Sequence, residues 1–407
     1  KADFTFYGGI YRPVHLLVVP KAHFALDYHG APGLRITPVL SADLKTAEIH
    51  AEAWVAGTAQ SVQFTLGEET LSAAVTDGKA EGTFKLENVH LWDGVNDPYL
   101  YKMQAALDSG DAVEANFGCR TIAFDAEKGF ILNGRPYRLC GAARHQDRQG
   151  LGNALTEKEH DEDMALLREM GANTVRLAHY QHAQYFYDLC DKYGLVAWAE
   201  IPYITEHMPE GRANTLSQMT ELVVQNYNHP SIVCWGLSNE ITGSGKTEDL
   251  VENHKLLNDL CHKLDATRPT TMAHIFMLDA NDPLVFLPDI RSYNLYYGWY
   301  VGEWDQNDAW FDEFHKNHPD AVIGLSEYGA DANPAYQSAK PAKGDWSEGY
   351  QAVYHEHMLK MWADRPYIWA MHCWNMFDFG ADGRDEGGKP GQNQKGLVTF
   401  DRKTKKD

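Results

Sequence analysis

The 407-residue chain predicts a multidomain protein, a (β/α)8 barrel preceded by a small β-sandwich, and three observations carry that prediction. Residues 4 to 125 run as short alternating segments separated by Gly, Asp and Pro clusters such as Asp93-Gly-Val-Asn-Asp-Pro98, the spacing of an all-β sandwich. From about Gly129 the texture changes, with short apolar runs alternating with longer helical patterns. Eight such runs can be counted, which is the strand number of a closed parallel barrel.

In the sandwich region the expected strands include Val14–Val19, Ala47–Val55 and Ser61–Leu66, the latter two alternating apolar and polar residues. The opening Gly8-Gly9-Ile-Tyr-Arg-Pro13 reads as the last strand of a preceding domain. The domains are therefore expected at 1–20 (the end of that earlier domain), 21–125 (sandwich) and 126–407 (barrel, with its last helix missing). The barrel strands are expected at Tyr137–Ala142, Asn173–Leu177, Leu195–Glu200, Ile232–Leu237, Thr270–Ala273, Ile290–Asn294, Val322–Ser326 and Ile368–Trp374. The first crossover helix opens on a capping box, Thr156 with Glu159, and closes at Gly171.

Composition narrows the partners. A formal charge of −21 disfavours nucleic acid and anionic membranes, and a neutral small substrate fits better. Six cysteines without CxxC spacing read as reduced core residues, pointing to a reducing, cytoplasmic compartment in a bacterium. No run is apolar enough to span a bilayer.

In a barrel of this kind polar residues after the strand ends build the site. Here they are Arg144 and His145; Arg176, His179 and Tyr180; Glu200; Asn239 and Glu240; His274; Asn294, Tyr296 and Tyr300; Glu327; Trp374 and Asp378. Glu240 and Glu327 each follow an apolar strand. A glycosidic bond needs one carboxylic acid to protonate the leaving oxygen and one carboxylate to meet the anomeric carbon, roughly 5 to 5.5 Å apart in a retaining enzyme. Taken singly, a Glu after a strand is usually a cap or surface residue. Asn239 is placed for the sugar 2-hydroxyl, Tyr296 to donate to Glu327, Trp374 to face the sugar's C–H surface, and His145 and His179 to bind hydroxyls. Glu240 is expected to be pushed towards its protonated form by the like charge of Glu327. Arg176 is expected to pair with carboxylates, with Glu200 as its partner or as a sugar contact. Trp299 and Trp369 read as core, and His355-Glu-His357 as solvated helix surface.

The stretch Asn228 to Glu240, NHPSIVCWGLSNE, resembles the acid/base signature of glycoside hydrolase family 2, and Ser326-Glu-Tyr-Gly329 is similar to that family's nucleophile segment. Gly8–Pro13, Phe130–Pro136, Arg144-His145, Val175–Tyr180, Asn294–Tyr300 and Cys373–Asp378 match in order along the chain. The resemblance implies that Glu240 is the acid/base and Glu327 the nucleophile. It also implies that the sandwich is immunoglobulin-like, that the residues before it end a sugar-binding-like jelly roll, and that a residue lent to the pocket by that first domain lies outside this chain. No metal or cofactor is expected, and a homo-oligomer is.

For the sugar, Arg144–Asn153, Arg384–Gly388 and Lys395–Arg402 resemble a β-galactosidase subgroup, and terminal β-galactosides are the main expectation. Ala330 departs from that pattern, standing where well-known galactosidases carry His. The alternative is a β-glucuronide, held by Asn393 and Lys395, because Asn393-Gln-Lys395 has the Asn-x-Lys form of a uronate clamp. A non-catalytic carbohydrate-binding relative is the remaining alternative; loss of function usually removes a carboxylate, and both are present.

Overall fold

A computed structural model describes residues 2–407. The barrel is closed and all-parallel. Its strands are β1 (Leu139–Arg144), β2 (Thr174–Leu177), β3 (Val196–Glu200), β4 (Ile232–Asn239), β5 (Thr270–Ile275), β6 (Arg291–Asn294), β7 (Ile323–Tyr328) and β8 (Ile368–Cys373). β8 returns to β1 with Ala370 opposite Leu139. Six helices serve as crossovers: α1 (Glu157–Glu169), α2 (Gln184–Tyr193), α3 (Arg212–Asn226), α4 (Glu248–Leu264), α5 (Gln306–Asn317) and α6 (Glu348–Ala363). The connection from β5 to β6 has only a 3-10 turn, Pro283–Phe286, because Asp279-Ala-Asn-Asp-Pro283 is a run of turn formers that cannot continue a helix. α1 begins as its sequence prescribes, with the Thr156 N–H donating to Glu159 Oε2 at 2.8 Å, and Gly171 past its end lies at φ 82°.

Two antiparallel four-stranded sheets form the immunoglobulin-like sandwich before the barrel. In one, Thr46–Ala56 lies between Leu34–Leu40 and Lys79–Glu87; the other runs Glu69–Ala74, Ser61–Leu66, Tyr101–Leu107, Ala112–Phe117. Alternation along the strands sends Ala47, Ile49, Ala51, Ala53 and Val55 inward, against Val62, Phe64, Met103 and Leu107 of the facing sheet. Val14–Val19 departs from the expectation. It forms no strand, and Leu16 and Val18 stand 91% and 90% exposed, because no neighbouring strand among the described residues offers a ladder or an apolar face. Gly8–Pro13 likewise has no strand pairing.

A three-stranded sheet that the sequence reading missed, Ile122–Asp125, Gly129–Leu132 and Arg135–Pro136, packs beneath the barrel. Phe130 and Leu132 join Trp92, Trp198 and Trp369 in a core that fills its N-terminal end. Trp299 is also buried. The sandwich docks on the barrel through polar groups. Asn228, between α3 and β4, accepts from the Ile36 N–H and donates to the Leu34 carbonyl, both at 2.9 Å. Arg120 donates to the carbonyls of Pro230 and Ile232. Gly194, at φ 76°, ends α2 so close to the sandwich that a Cβ there would lie 2.1 Å from the Gly94 carbonyl oxygen. All six cysteines are free, five of them buried. Among the described residues no helix is long and apolar enough to cross a membrane.

Candidate active site

The strand ends surround a cavity of about 190 Å³ at the barrel's C-terminal mouth. Its lining includes Glu240, Glu327, Asn239, His179, Tyr296, Tyr300 and Trp374, with Asp3, Phe4, Ile204, Thr205, Ile275 and Phe276. The volume falls below the roughly 300–1,000 Å³ of sites for drug-sized ligands, and the wall is rich in carboxylates and hydroxyls. A small polyhydroxylated ring matches it better than an apolar ligand.

Arg176 on β2 organises the floor. Fully buried, it donates to Glu200 through Nε and Nη2 (both 3.0 Å), to Glu327 Oε1 (2.7 Å), to Asn239 Oδ1 (2.8 Å) and to the Ser326 carbonyl (3.2 Å). Burial pulls the guanidinium pKa down, but the Glu200 and Glu327 carboxylates more than offset this and raise it above the arginine value. Burial acts against the Glu200 carboxylate too, yet Arg176 and His179 hold its pKa below the usual range. Glu200 is therefore the partner of Arg176 and of His179 Nδ1 (2.7 Å); it does not line the pocket.

Glu327 accepts from Arg176 on one oxygen and from Tyr296 on the other, at 2.8 Å. Burial, then Glu327 itself, pushes the Tyr296 phenol far above its ordinary pKa, so it remains a donor. Glu240 stands in different surroundings. Its pKa is pushed up to about 7, first by burial and second by Glu327, so the expected like-charge effect is real but secondary. Asn294 donates to Glu240 Oε1 at 3.0 Å and is itself aligned by Ser326 Oγ at 2.7 Å. Glu240 adopts φ 47°, a left-handed backbone rare outside glycine, and the β4 and β7 registers shift where they approach their acids. Two carboxyl groups in one pocket thus stand in different environments, Glu240 pushed towards its protonated form and Glu327 accepting from a guanidinium and a phenol, the arrangement general acid and nucleophile require.

Several expected ligands sit elsewhere. His145 is buried behind Phe4, whose ring centroid lies 4.9 Å away, and is absent from the lining; burial and neighbouring His179 keep its pKa well below normal, hence neutral. Asn294 supports Glu240 from below the surface of the pocket. Trp374 lines the wall but stacks one face on His179 at 4.8 Å, leaving less of it for a ligand. Asn393 and Lys395 are fully buried behind Asp3 and Tyr300. Lys395 Nζ donates to the Tyr300 hydroxyl at 2.5 Å and is paired with Asp331. His274 is buried outside the lining. His355 and His357 are not simply solvated: His355 contacts Cys373 Sγ at 3.8 Å, and His357 pairs with Asp308 at 2.7 Å.

The pocket also contains residues that sequence reasoning did not place there. The residue lent by a first domain was expected to lie outside this chain; within it, Asp3 forms one wall of the pocket. Arg384 grips its carboxylate from Nε (2.8 and 2.9 Å) and Nη2 (2.5 Å), and Asn393 Nδ2 donates to it at 3.1 Å. No local signal marks Asp3; Arg384 stood in a quoted motif without a position. Among the described residues, one group of three possible metal ligands exists, Asp188, Asp191 and His229. Asp191 already accepts from His229 and Ser231, which anchor the base of β4.

Residues 125–407 match the family model for the glycosyl hydrolases family 2 TIM barrel domain, and residues 32–120 match the model for glycosyl hydrolases family 2. The chain belongs to glycosyl hydrolase family 2. Across the whole chain this family 2 sequence is 40% identical to a β-glucuronidase of Bacteroides fragilis, spanning 62% of that protein's length. A solved FMN-binding β-glucuronidase from Facaelibacterium prausnitzii L2-6 superposes with a TM-score of 0.97 at 44% identity, covering all of this chain and 65% of the other. A putative β-galactosidase structure from Bacteroides fragilis superposes with a TM-score of 0.92 at 37% identity, covering 98% of this chain and 63% of its own. The family 2 chain therefore spans less than two thirds of these relatives.

Proposed function

We propose that the chain is the catalytic core of a retaining β-glucuronidase, in place of the β-galactosidase that was the main expectation from sequence. The observation that carries the choice is the cationic cluster that backs the pocket residues Asp3 and Tyr300. Arg384 and Asn393 already cradle one carboxylate, that of Asp3, and the Lys395 ammonium lies directly behind Tyr300. Arg384, half-buried, and Lys395, fully buried, are matched in this structure by Asp3 and Asp331; a uronate carboxylate can take the place of such a partner, whereas a neutral galactoside cannot. The glucuronidase names of the relatives at 40% and 44% identity support the same reading. One observation favours a galactoside: the 37% identical structure carries the name putative β-galactosidase.

In this reading Glu240, protonated near neutrality, gives its proton to the leaving oxygen while Glu327 attacks the anomeric carbon and forms a glycosyl ester. Glu240, now a carboxylate, takes a proton from water as that water displaces Glu327, restoring both groups. Asn239 Oδ1 is engaged by Arg176 and Asn294, which turns its amide N–H groups towards the sugar 2-hydroxyl. Arg176 and Tyr296 hold Glu327 at the anomeric position.

Initial rates on matched p-nitrophenyl β-glucuronide and β-galactoside test the proposal. A preference for the glucuronide of about a hundredfold or more is expected, with Lys395→Ala removing most of it, since losing a charged partner costs about 1.5–3 kcal/mol. A faster rate on the galactoside would restore the first expectation.

A further inference from the structure

Against the backbone that flanks Lys395 lies a second ion pair that the proposed chemistry does not use. Lys406 Nζ donates to Asp378 Oδ1 at 2.7 Å, and both side chains are completely buried. The pair does more than neutralise itself. Lys406 Nζ also donates to the Gln394 carbonyl at 2.8 Å, and Asp378 Oδ1 accepts the Gly396 N–H at 2.9 Å. These backbone groups flank Lys395 on either side. Two ladder bonds extend the grip, Asp378 N–H to the Val398 carbonyl and Lys406 N–H to the Leu397 carbonyl, both at 2.8 Å. Gly396 is required for the approach, because a Cβ there would lie 2.0 Å from the Asp378 nitrogen and 2.7 Å from its Oδ1.

A buried ion pair is a poor device for stability alone, since apolar residues of the same volume generally serve as well or better. Its distinctive property is direction: each charge holds its hydrogen-bond partners at fixed angles. Here the partners are the two peptide groups that set where Lys395 leaves the backbone. Asp378 also follows the pocket residue Trp374 by four positions, so the pair ties the chain that carries Trp374 to the chain that carries Asn393 and Lys395.

We propose that Asp378 and Lys406 are positioning residues for Lys395, and so determine how strongly the pocket discriminates uronides from neutral β-glycosides. The inference rests on the β-glucuronidase reading. Lys406→Met alone would strand a buried Asp378 and could unfold the chain, so the informative variant is the double replacement Asp378→Asn with Lys406→Met, which removes both charges but keeps volume and an acceptor for Gly396. Lys406→Arg is its conservative control. kcat and KM are measured on p-nitrophenyl β-glucuronide and β-galactoside, with Tm for each protein. The wild-type ratio of the two substrates reports on the glucuronidase reading by itself; absence of a glucuronide preference there overturns both that reading and this one. With the preference present, the double variant is expected to lose about tenfold or more in kcat/KM on the glucuronide, through KM, with the galactoside rate and Tm little changed and Lys406→Arg near wild type. Equal losses on the two substrates, or no loss on either, would overturn the positioning role while leaving the glucuronidase reading intact.

Discussion

At the scale of single residues, the pocket separates two glutamates of the same chemistry by giving them different neighbours. Glu327, buried, is held by a guanidinium and a phenol, whereas Glu240, half-buried, has one amide donor. The pKa of about 7 on Glu240 carries a sign that can be checked. A general acid works only while protonated, so kcat/KM should fall as pH rises through about 7, by about tenfold per pH unit beyond it. Glu240→Gln should abolish that alkaline limb along with most turnover of unactivated glycosides. An identical limb in the variant would assign it to another group. Both acids were legible because each follows an apolar strand inside a long motif. Asp3 was not: it stands in an unremarkable Asp-Phe-Thr-Phe run, and its proximity to Glu240 comes wholly from tertiary structure.

Among the elements, the segment from Ala2 to Tyr7 behaves as a strap across the barrel mouth. The Thr5 N–H donates to the Gly380 carbonyl at 2.8 Å, while Asp147 Oδ2 accepts from the Tyr7 hydroxyl at 3.0 Å and from the Gly380 N–H at 2.9 Å. Phe379–Gly380 in turn pairs with Gln392–Asn393, so strap and clamp residues share one small framework. Burial raises the Asp147 pKa to about 6, and its other oxygen has no partner, so the Tyr7 bond carries much of its satisfaction. Tyr7→Phe should therefore loosen the strap and raise KM by about tenfold, the equivalent of about 1.4 kcal/mol, with kcat little altered. Steady-state kinetics showing KM within twofold of wild type would reduce Tyr7 to a surface tether. The eight barrel strands were legible from apolar runs and punctuation. The strap and the three-stranded sheet below the barrel were not, because segments this short have no period of their own and are defined by the surfaces they meet.

For the molecule as a whole, the signature stretch Asn228 to Glu240 has two tasks at its two ends. Glu240 faces the pocket, while Asn228 completes the hydrogen bonding of a sandwich strand more than 190 positions earlier in the chain. Asn228→Ala should leave kcat/KM unchanged and weaken the docking of sandwich on barrel by about 2 kcal/mol, two hydrogen bonds' worth, visible as an earlier unfolding step in a urea titration. Activity lost without any such shift would instead place Asn228 in the catalytic machinery. The order of domains could be read from texture alone. Their docking could not, since it depends on individual polar side chains such as Asn228 and Arg120 whose partners lie far away in sequence.

The grip of Arg384 and Asn393 on Asp3 joins positions 381 and 390 residues apart. During synthesis the strap emerges long before the hands that hold it. A ribosome-bound chain still lacking Arg384 and Asn393 would carry Glu240 and Glu327 but an unfinished pocket wall. The geometry thus sets a schedule: the pocket wall built on Asp3 is complete only once Arg384 and Asn393 have joined the fold.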